Sequence, residues 1–324
     1  MRIATLLLVG VIAVNCSTAG QQSTTTAAKG PVARGYHDMV SLGPNPGVLM
    51  YSGETAPPRF GGRDLGDVWL WRSGQGWKQR TGNGETWGFA IYAADMQRMV
   101  TLVFETGNFV PLMENWTYDP TGDSWAKREL DQRPSFPNGA VGAFDTESKR
   151  LIVFGNETWT YDPAGNQWST MKPQRQPTFG AWSAFVYAER EDRVVLLGGE
   201  ARGDLSDVWM YDLNHDVWTE TIASPGPPAR MYSVAGYDPR SDRLILFGGL
   251  GDAGPLNDTW SYDLTKNVWT ELKPRTPPPA RARHAMANDS ESGKFVMFGG
   301  GADPAHFFDD TWVFDPGTNQ WSPD

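Results

Sequence analysis

The sequence predicts an all-β fold: a six-bladed propeller with four antiparallel strands per blade, placed behind an N-terminal leader. Three observations carry that reading. Twelve of the 15 tryptophans fall into six pairs, whose first members are Trp69, Trp116, Trp159, Trp209, Trp260 and Trp312. Their partners Trp77, Trp125, Trp168, Trp218, Trp269 and Trp321 follow at eight residues in the first pair and nine in the others. Successive pairs stand 43 to 52 residues apart, a repeat length typical of propellers and arrays. Second, each period holds four short β-branched and aromatic runs separated by Gly, Pro, Asn and Asp. Third, no helical periodicity follows the leader.

In chain order the leader comes first. Arg2 precedes an apolar run from Ile3 to Val14, which is too short to span a bilayer and reads as an export signal. Cys16, the only cysteine, ends that run, and Ser17 to Gly30 form a polar tether. Two processing routes fit residues 1–19. The arrangement resembles a bacterial lipoprotein leader with a lipidated Cys16, although Asn15 stands where a small residue is usual; the alternative is signal-peptidase cleavage after Ala19. Either route places the protein in the cell envelope or outside the cell. A chain with one cysteine has no intrachain disulfide framework.

After a tether over residues 20–33, the blades are expected at about 34–80, 81–130, 131–172, 173–222, 223–273 and 274–324. The clearest unit is the fifth. Met231 to Tyr237 forms its first strand, and Leu244-Ile245-Leu246-Phe247 its second. The second is apolar throughout, as a strand covered on both faces must be. Gly248-Gly249 ends it. In the third strand Trp260 and Tyr262, two residues apart, share one face of the pleat, and Val268 to Glu271 closes the unit. If each unit runs from inner to outer strand, blade one packs on blade six without a borrowed strand; residues 20 to 33 adding to an edge is the alternative.

The diglycines Gly198-Gly199, Gly248-Gly249 and Gly299-Gly300, each followed by a loop, an Asp-x-Trp-x-aromatic-Asp segment and a second Trp, resemble the kelch family. The resemblance covers about residues 31 to 324, although the first three units are degenerate at the diglycine: Ser52-Gly53, Glu105-Thr106 and Gly155-Asn156. It implies a scaffold for interactions, with protein or glycan partners. It is also similar to galactose oxidase in architecture, but that family's copper-radical cofactor needs a cysteine crosslinked to tyrosine, and the single cysteine here lies in the leader. Neither a cofactor nor a metal site is expected. A cofactor-independent sugar mutarotase or epimerase in the cell envelope is the alternative function, since its chemistry needs only acid–base groups.

Strand polarity sorts the loops. The b-to-c and d-to-a loops emerge on one face, and the b-to-c loops vary most, so that face is the expected binding surface. A carboxylate precedes the first Trp by two residues in every blade: Asp67, Glu114, Glu157, Asp207, Asp258 and Asp310. Arg34, Arg230 and Arg281 open the inner strand in three blades, each eighteen residues before the first diglycine position. These groups either line a ligand-binding rim or pair with one another to lock loops. His37 and His284 occupy equivalent positions three residues after Arg34 and Arg281, in blades that become neighbours when the ring closes. With Phe60, Phe109 and Phe308 from the loops, these arginines and histidines are the candidate contacts. The net charge of −10 argues against nucleic acid and anionic lipid as partners. A monomeric propeller is expected, touching a membrane only through a lipid on Cys16.

Overall fold

The structure is a computed structural model that describes residues 30–324 apart from 44, 57–61, 85–87, 105–112, 130–133, 138, 179–180, 200–206, 224 and 304. Six antiparallel sheets of four strands, each built from consecutive stretches of chain, form the blades, and no helix occurs among the described residues. The inner strands Asp38–Ser41, Gly88–Ala93, Val141–Asp145, Ala184–Ala188, Val234–Asp238 and Ala285–Asp289 stand side by side around a central channel. Blades five and six each add a two-stranded ribbon between their second and third strands: Leu250–Gly251 with Gly254–Pro255, and Gly301–Asp303 with His306–Phe307.

Position within the blade explains each strand's composition. Second strands such as Leu151–Phe154 and Leu244–Phe247 are buried at every apolar residue, because sheets cover both faces. Outer strands such as Gln167–Thr170 bury only the tryptophan and leave polar neighbours exposed, which suits a solvated edge. The core is therefore a set of wedges between adjacent blades. The second tryptophans Trp168, Trp218, Trp269 and Trp321 fill these wedges, each packed against the preceding blade. The first tryptophans are mixed: Trp69 and Trp209 are buried, while Trp159, Trp260 and Trp312 are half-buried at the rim of their wedges.

A hydrogen bond repeats at several joints. The Trp218 indole donates to Thr158 Oγ1 of the preceding blade (2.9 Å) and the Trp321 indole to Thr259 Oγ1 (3.0 Å). Both acceptors immediately precede a first tryptophan. The ring closes with the same bond, since Trp77 of blade one donates to Thr311 Oγ1 of blade six (2.9 Å). Further contacts across this closure run from the Gly47 N–H to Asp289 Oδ1 (3.0 Å) and from the Trp71 indole to Asp324 Oδ2 (2.7 Å). Closure among the described residues thus proceeds by packing of blade one on blade six, with no strand exchanged between them; residues 30–33 belong to no strand, and residues 20–29 lie outside the described residues.

Turns on the opposite face follow one rule. A tyrosine hydroxyl bonds an Asp or Asn five residues on, as from Tyr161 to Asn166 (2.7 Å) and Tyr262 to Asn267 (2.9 Å), and that acceptor adopts a left-handed backbone. Blade six has Phe314 at the tyrosine position, and there the buried Asn319 Oδ1 has no partner.

Candidate functional site

The three arginines at the start of blades one, five and six sit in one repeated arrangement. Arg230 Nε donates to Pro228 O (3.1 Å), its Nη1 to Gly248 O (2.9 Å), and its two amino groups grip Asp258 with both bonds at 2.7 Å. Asp258 Oδ2 also accepts the Trp260 indole N–H (2.6 Å). Arg281 grips Asp310 and Arg34 grips Asp67 in the same way, with Trp312 and Trp69 donating to the carboxylates. All three arginine side chains are 0% exposed. Burial pushes the pKa values of Asp67, Asp258 and Asp310 up, but the guanidinium hydrogen bonds and charges outweigh it and hold the carboxyls below the usual range. Charge and donors are thus satisfied internally, and the geometry ties the start of each inner strand to its own b-to-c loop.

The diglycines link these units between blades. The second glycine donates its N–H to the arginine carbonyl of the next blade: Gly249 to Arg281 O (2.9 Å) and Gly300 to Arg34 O (2.8 Å). The first glycine must be left-handed, φ +58° at Gly248 and +65° at Gly299, and a Cβ there would stand 2.7 and 2.5 Å from those same carbonyl oxygens. Ser52 keeps this left-handed backbone (φ 65°) in the degenerate first blade. Since blade six adjoins blade one, the three locked blades form one continuous sector, and its b-to-c loops pair with the segments opening the inner strands through Met231–Leu250, Ala282–Gly301 and Gly35–Glu54 bridges.

His37 and His284 lie beneath this sector. Each ring turns to the preceding blade, His37 edge-on to Phe298 (5.8 Å between centroids) and His284 to Phe247 (5.4 Å). Neither ring nitrogen of either residue has a hydrogen-bond partner. Burial, reinforced by Arg281, pushes the His284 pKa down to about 3, and burial with the charge of Arg34 lowers His37 as well. Both imidazoles are neutral near pH 7. Phe308 lies half-buried under the Arg281 guanidinium, 4.4 Å from ring centroid to Cζ. Phe60 and Phe109 lie outside the described residues, as does Cys16. Among the described residues no group of three His, Cys, Asp or Glu side chains could hold a metal ion.

A second constellation lies at the channel mouth on the same face. Immediately before His37, Ser183, Ser233 and His284 stand Tyr36, Trp182, Tyr232 and Arg283, and all four carry a left-handed backbone, φ 56°, 58°, 55° and 64°. Their amides form a chain from blade to blade: Tyr36 N–H to Arg283 O (3.0 Å), Arg283 to Tyr232 O (3.2 Å), Tyr232 to Trp182 O (3.1 Å), and Trp182 to Gly139 O (3.2 Å). The side chains stack above this chain. Trp182 and Tyr232 are 4.9 Å apart by ring centroid, Tyr36 meets Tyr232 edge-on at 5.7 Å, and Phe307 meets Tyr36 at 6.3 Å. Arg283 bridges the tyrosines, its Cζ 4.6 Å from the Tyr232 ring and 5.4 Å from the Tyr36 ring, while its Nε donates to the Tyr36 hydroxyl (2.5 Å). Tyr36 remains 37% exposed.

Left-handed backbone is uncommon for non-glycine residues and costs on the order of 1–3 kcal/mol per site. Blade three makes the same inter-blade bond with Gly139 (φ 81°), so the fold itself needs only a glycine here. Four bulky side chains are instead held at the mouth against that cost. The sequence reading did not select them. The available signal was Trp182, a tryptophan outside the six pairs, together with an aromatic residue two positions after Arg34 and again after Arg230.

Regular blades with loops locked on one face and side chains projecting at the channel mouth define a six-bladed repeat propeller. A family model described as the KLHDC2/KLHL20/DRC7 Kelch-repeats domain matches residues 155–323, just over half of the chain. The protein belongs to the Kelch-repeat family, whose propellers generally bind protein partners.

Proposed function

We propose that this propeller is a binding scaffold that captures a partner polypeptide on the face bearing the b-to-c and d-to-a loops, with the channel-mouth cluster as its contact surface. The observation that carries this reading is the left-handed backbone at Tyr36, Trp182, Tyr232 and Arg283, where Gly139 shows what the scaffold alone requires. Strain retained at a surface cluster of aromatic rings is characteristic of recognition sites. The Arg34, Arg230 and Arg281 locks then act behind the contact surface, holding the loops that frame it. His37 and His284, only 4% and 6% exposed, are shielded from a ligand in the channel, which weighs against the sugar mutarotase or epimerase alternative.

The proposal includes export, on the strength of the leader, with Cys16 lipidated or the leader cleaved after Ala19. Cells fed a labelled fatty acid distinguish these routes: label on the intact protein that is lost in Cys16→Ser supports lipidation, and its absence supports cleavage.

A photo-crosslinking amino acid at Tyr36 tests the binding surface in the cells that make the protein. A discrete crosslinked partner is expected there and not from the same probe at Lys266 on the opposite face. Equal or greater crosslinking at Lys266 would place the binding surface elsewhere.

A further inference from the structure

The chemistry of the channel mouth narrows the partner further. Trp182, Tyr232 and Tyr36 form a row across three blades, with adjacent ring centroids 4.9 and 5.7 Å apart. Backbone edges are not available at the locked sector, because Met231, Ala282 and Gly35 already pair with the b-to-c loops. An added β-strand would find no ladder to extend there. A polyproline II segment needs none: it has no internal hydrogen bonds, its carbonyls point outward, and with three residues per turn its residues three apart share one face at about 9 Å. Two such residues can meet the rings on either side of Tyr232, whose own ring is packed between Trp182 and the Arg283 guanidinium. The segment's low conformational entropy also suits a row fixed in advance by the inter-blade amide chain.

Charge gives the segment a polarity. Beyond Tyr36 in blade one, Gly35 pairs with Glu54, and Glu54 pairs in turn with Asp64, placing two carboxylate residues directly opposite each other. Like charges facing across a strand pair are unfavourable, and an arriving cation relieves them. Burial and the Asp64 charge raise the Glu54 pKa, with Arg283 offsetting part of that rise. Arg63 stands beside Asp64 in the same loop, but the neighbouring loops of blades five and six add Asp252, Asp303 and Asp309 against a single histidine, His306.

We infer that the channel mouth takes a proline-rich peptide segment with a basic end, two prolines three residues apart on Trp182 and Tyr36 and the basic residue at Glu54 and Asp64. This inference rests on the channel-mouth reading of the preceding section. The probe is a fluorescein-labelled peptide of repeated Pro-Pro-Ala units ending in two arginines, titrated by anisotropy against the intact protein. Saturable binding is expected. Trp182→Gly, which reproduces the Gly139 backbone of blade three, should weaken it by at least about tenfold. Glu54→Gln with Asp64→Asn should weaken it several-fold and flatten its salt dependence. Replacing the arginines of the probe by glutamates should abolish binding. No saturation, equal binding of the glutamate probe, or indifference to Trp182→Gly overturns the inference. If Tyr36 still crosslinks a partner in cells, only the ligand class has failed; if it does not, the binding surface has failed too. Saturable binding of neutral oligosaccharides, lost in Trp182→Gly, would assign the row to glycans instead.

Discussion

Replacing Asp310 by Asn removes one charge from the blade-six lock and changes almost nothing in shape. In the native protein the Arg281 guanidinium is 0% exposed and bonds Pro279 O, Gly299 O and both oxygens of Asp310, the last two at 2.6 and 2.8 Å. An asparagine leaves one acceptor in place and strands a buried positive charge. Breaking a buried ion pair from one side typically costs about 3–5 kcal/mol. Asp310 is itself 34% exposed, and water reaching that side lowers the expectation to about 2–4 kcal/mol. The Lys266–Asp263 pair is the contrast, because Lys266 is 74% exposed and Lys266→Ala should cost less than about 1 kcal/mol. Urea unfolding followed by tryptophan fluorescence measures both. Replacing the whole pair, Arg281→Met with Asp310→Leu, should recover most of the loss, since no charge is then stranded. A loss below about 1 kcal/mol in Asp310→Asn would falsify the claim that Arg281 is desolvated.

Three further outcomes follow from other parts of the molecule. Trp182→Gly gives up ring contacts but relieves a left-handed side chain, so it should be more stable than Trp182→Ala by about 0.5–1 kcal/mol in the same urea assay. Thr259→Val removes the acceptor of the Trp321 indole and should cost about 1–2 kcal/mol, with the Trp321 emission shifted. His37 and His284 have folded pKa values below the unfolded 6.5, His284 at about 3. Their stabilising contribution is therefore full above pH 6.5 and is lost as pH falls below it, toward 3 for His284, at up to about 1.4 kcal/mol per pH unit for each histidine. Asp38, raised to about 7 by burial, acts in the opposite sense as pH rises from 4 to 7. The double variant His37→Ser, His284→Ser isolates the histidine part: the urea midpoint at pH 7, taken relative to that at pH 5, should be lower in the variant than in the wild type, because the opposing Asp38 trend is then left alone.

The architecture was legible because one constraint repeats in every blade. A tryptophan that fills the wedge against the preceding blade has to recur once per blade, and Trp125, Trp168, Trp218, Trp269 and Trp321 do so at the same distance from their partners. The arginines were legible as positions, since the spacing of eighteen from Arg230 to Gly248 reflects the bond from Nη1 to the Gly248 carbonyl. Whether they would meet a ligand or an aspartate was a question of direction, and strand spacing holds no information on that. The mouth cluster was hidden for a different reason. Its members differ from blade to blade, as Tyr36, Gly139, Trp182, Tyr232 and Arg283, and nothing in a tyrosine or tryptophan announces a left-handed backbone. Only the inter-blade amide chain brings positions as distant in sequence as 36 and 232 into one surface.

The bond from Trp77 to Thr311 makes the seam of the ring chemically the same as two of its internal joints. The first rupture under load or denaturant therefore need not fall where the ends of the ring meet. Between blades two and three the Trp168 indole N–H is buried without a partner, a deficit of about 1–3 kcal/mol that the Trp77, Trp218 and Trp321 joints do not carry. Individual side chains, and not the position of the seam, then set the order in which the ring comes apart. By that measure its fracture line runs between blades two and three, across the channel from the sector braced by the arginines.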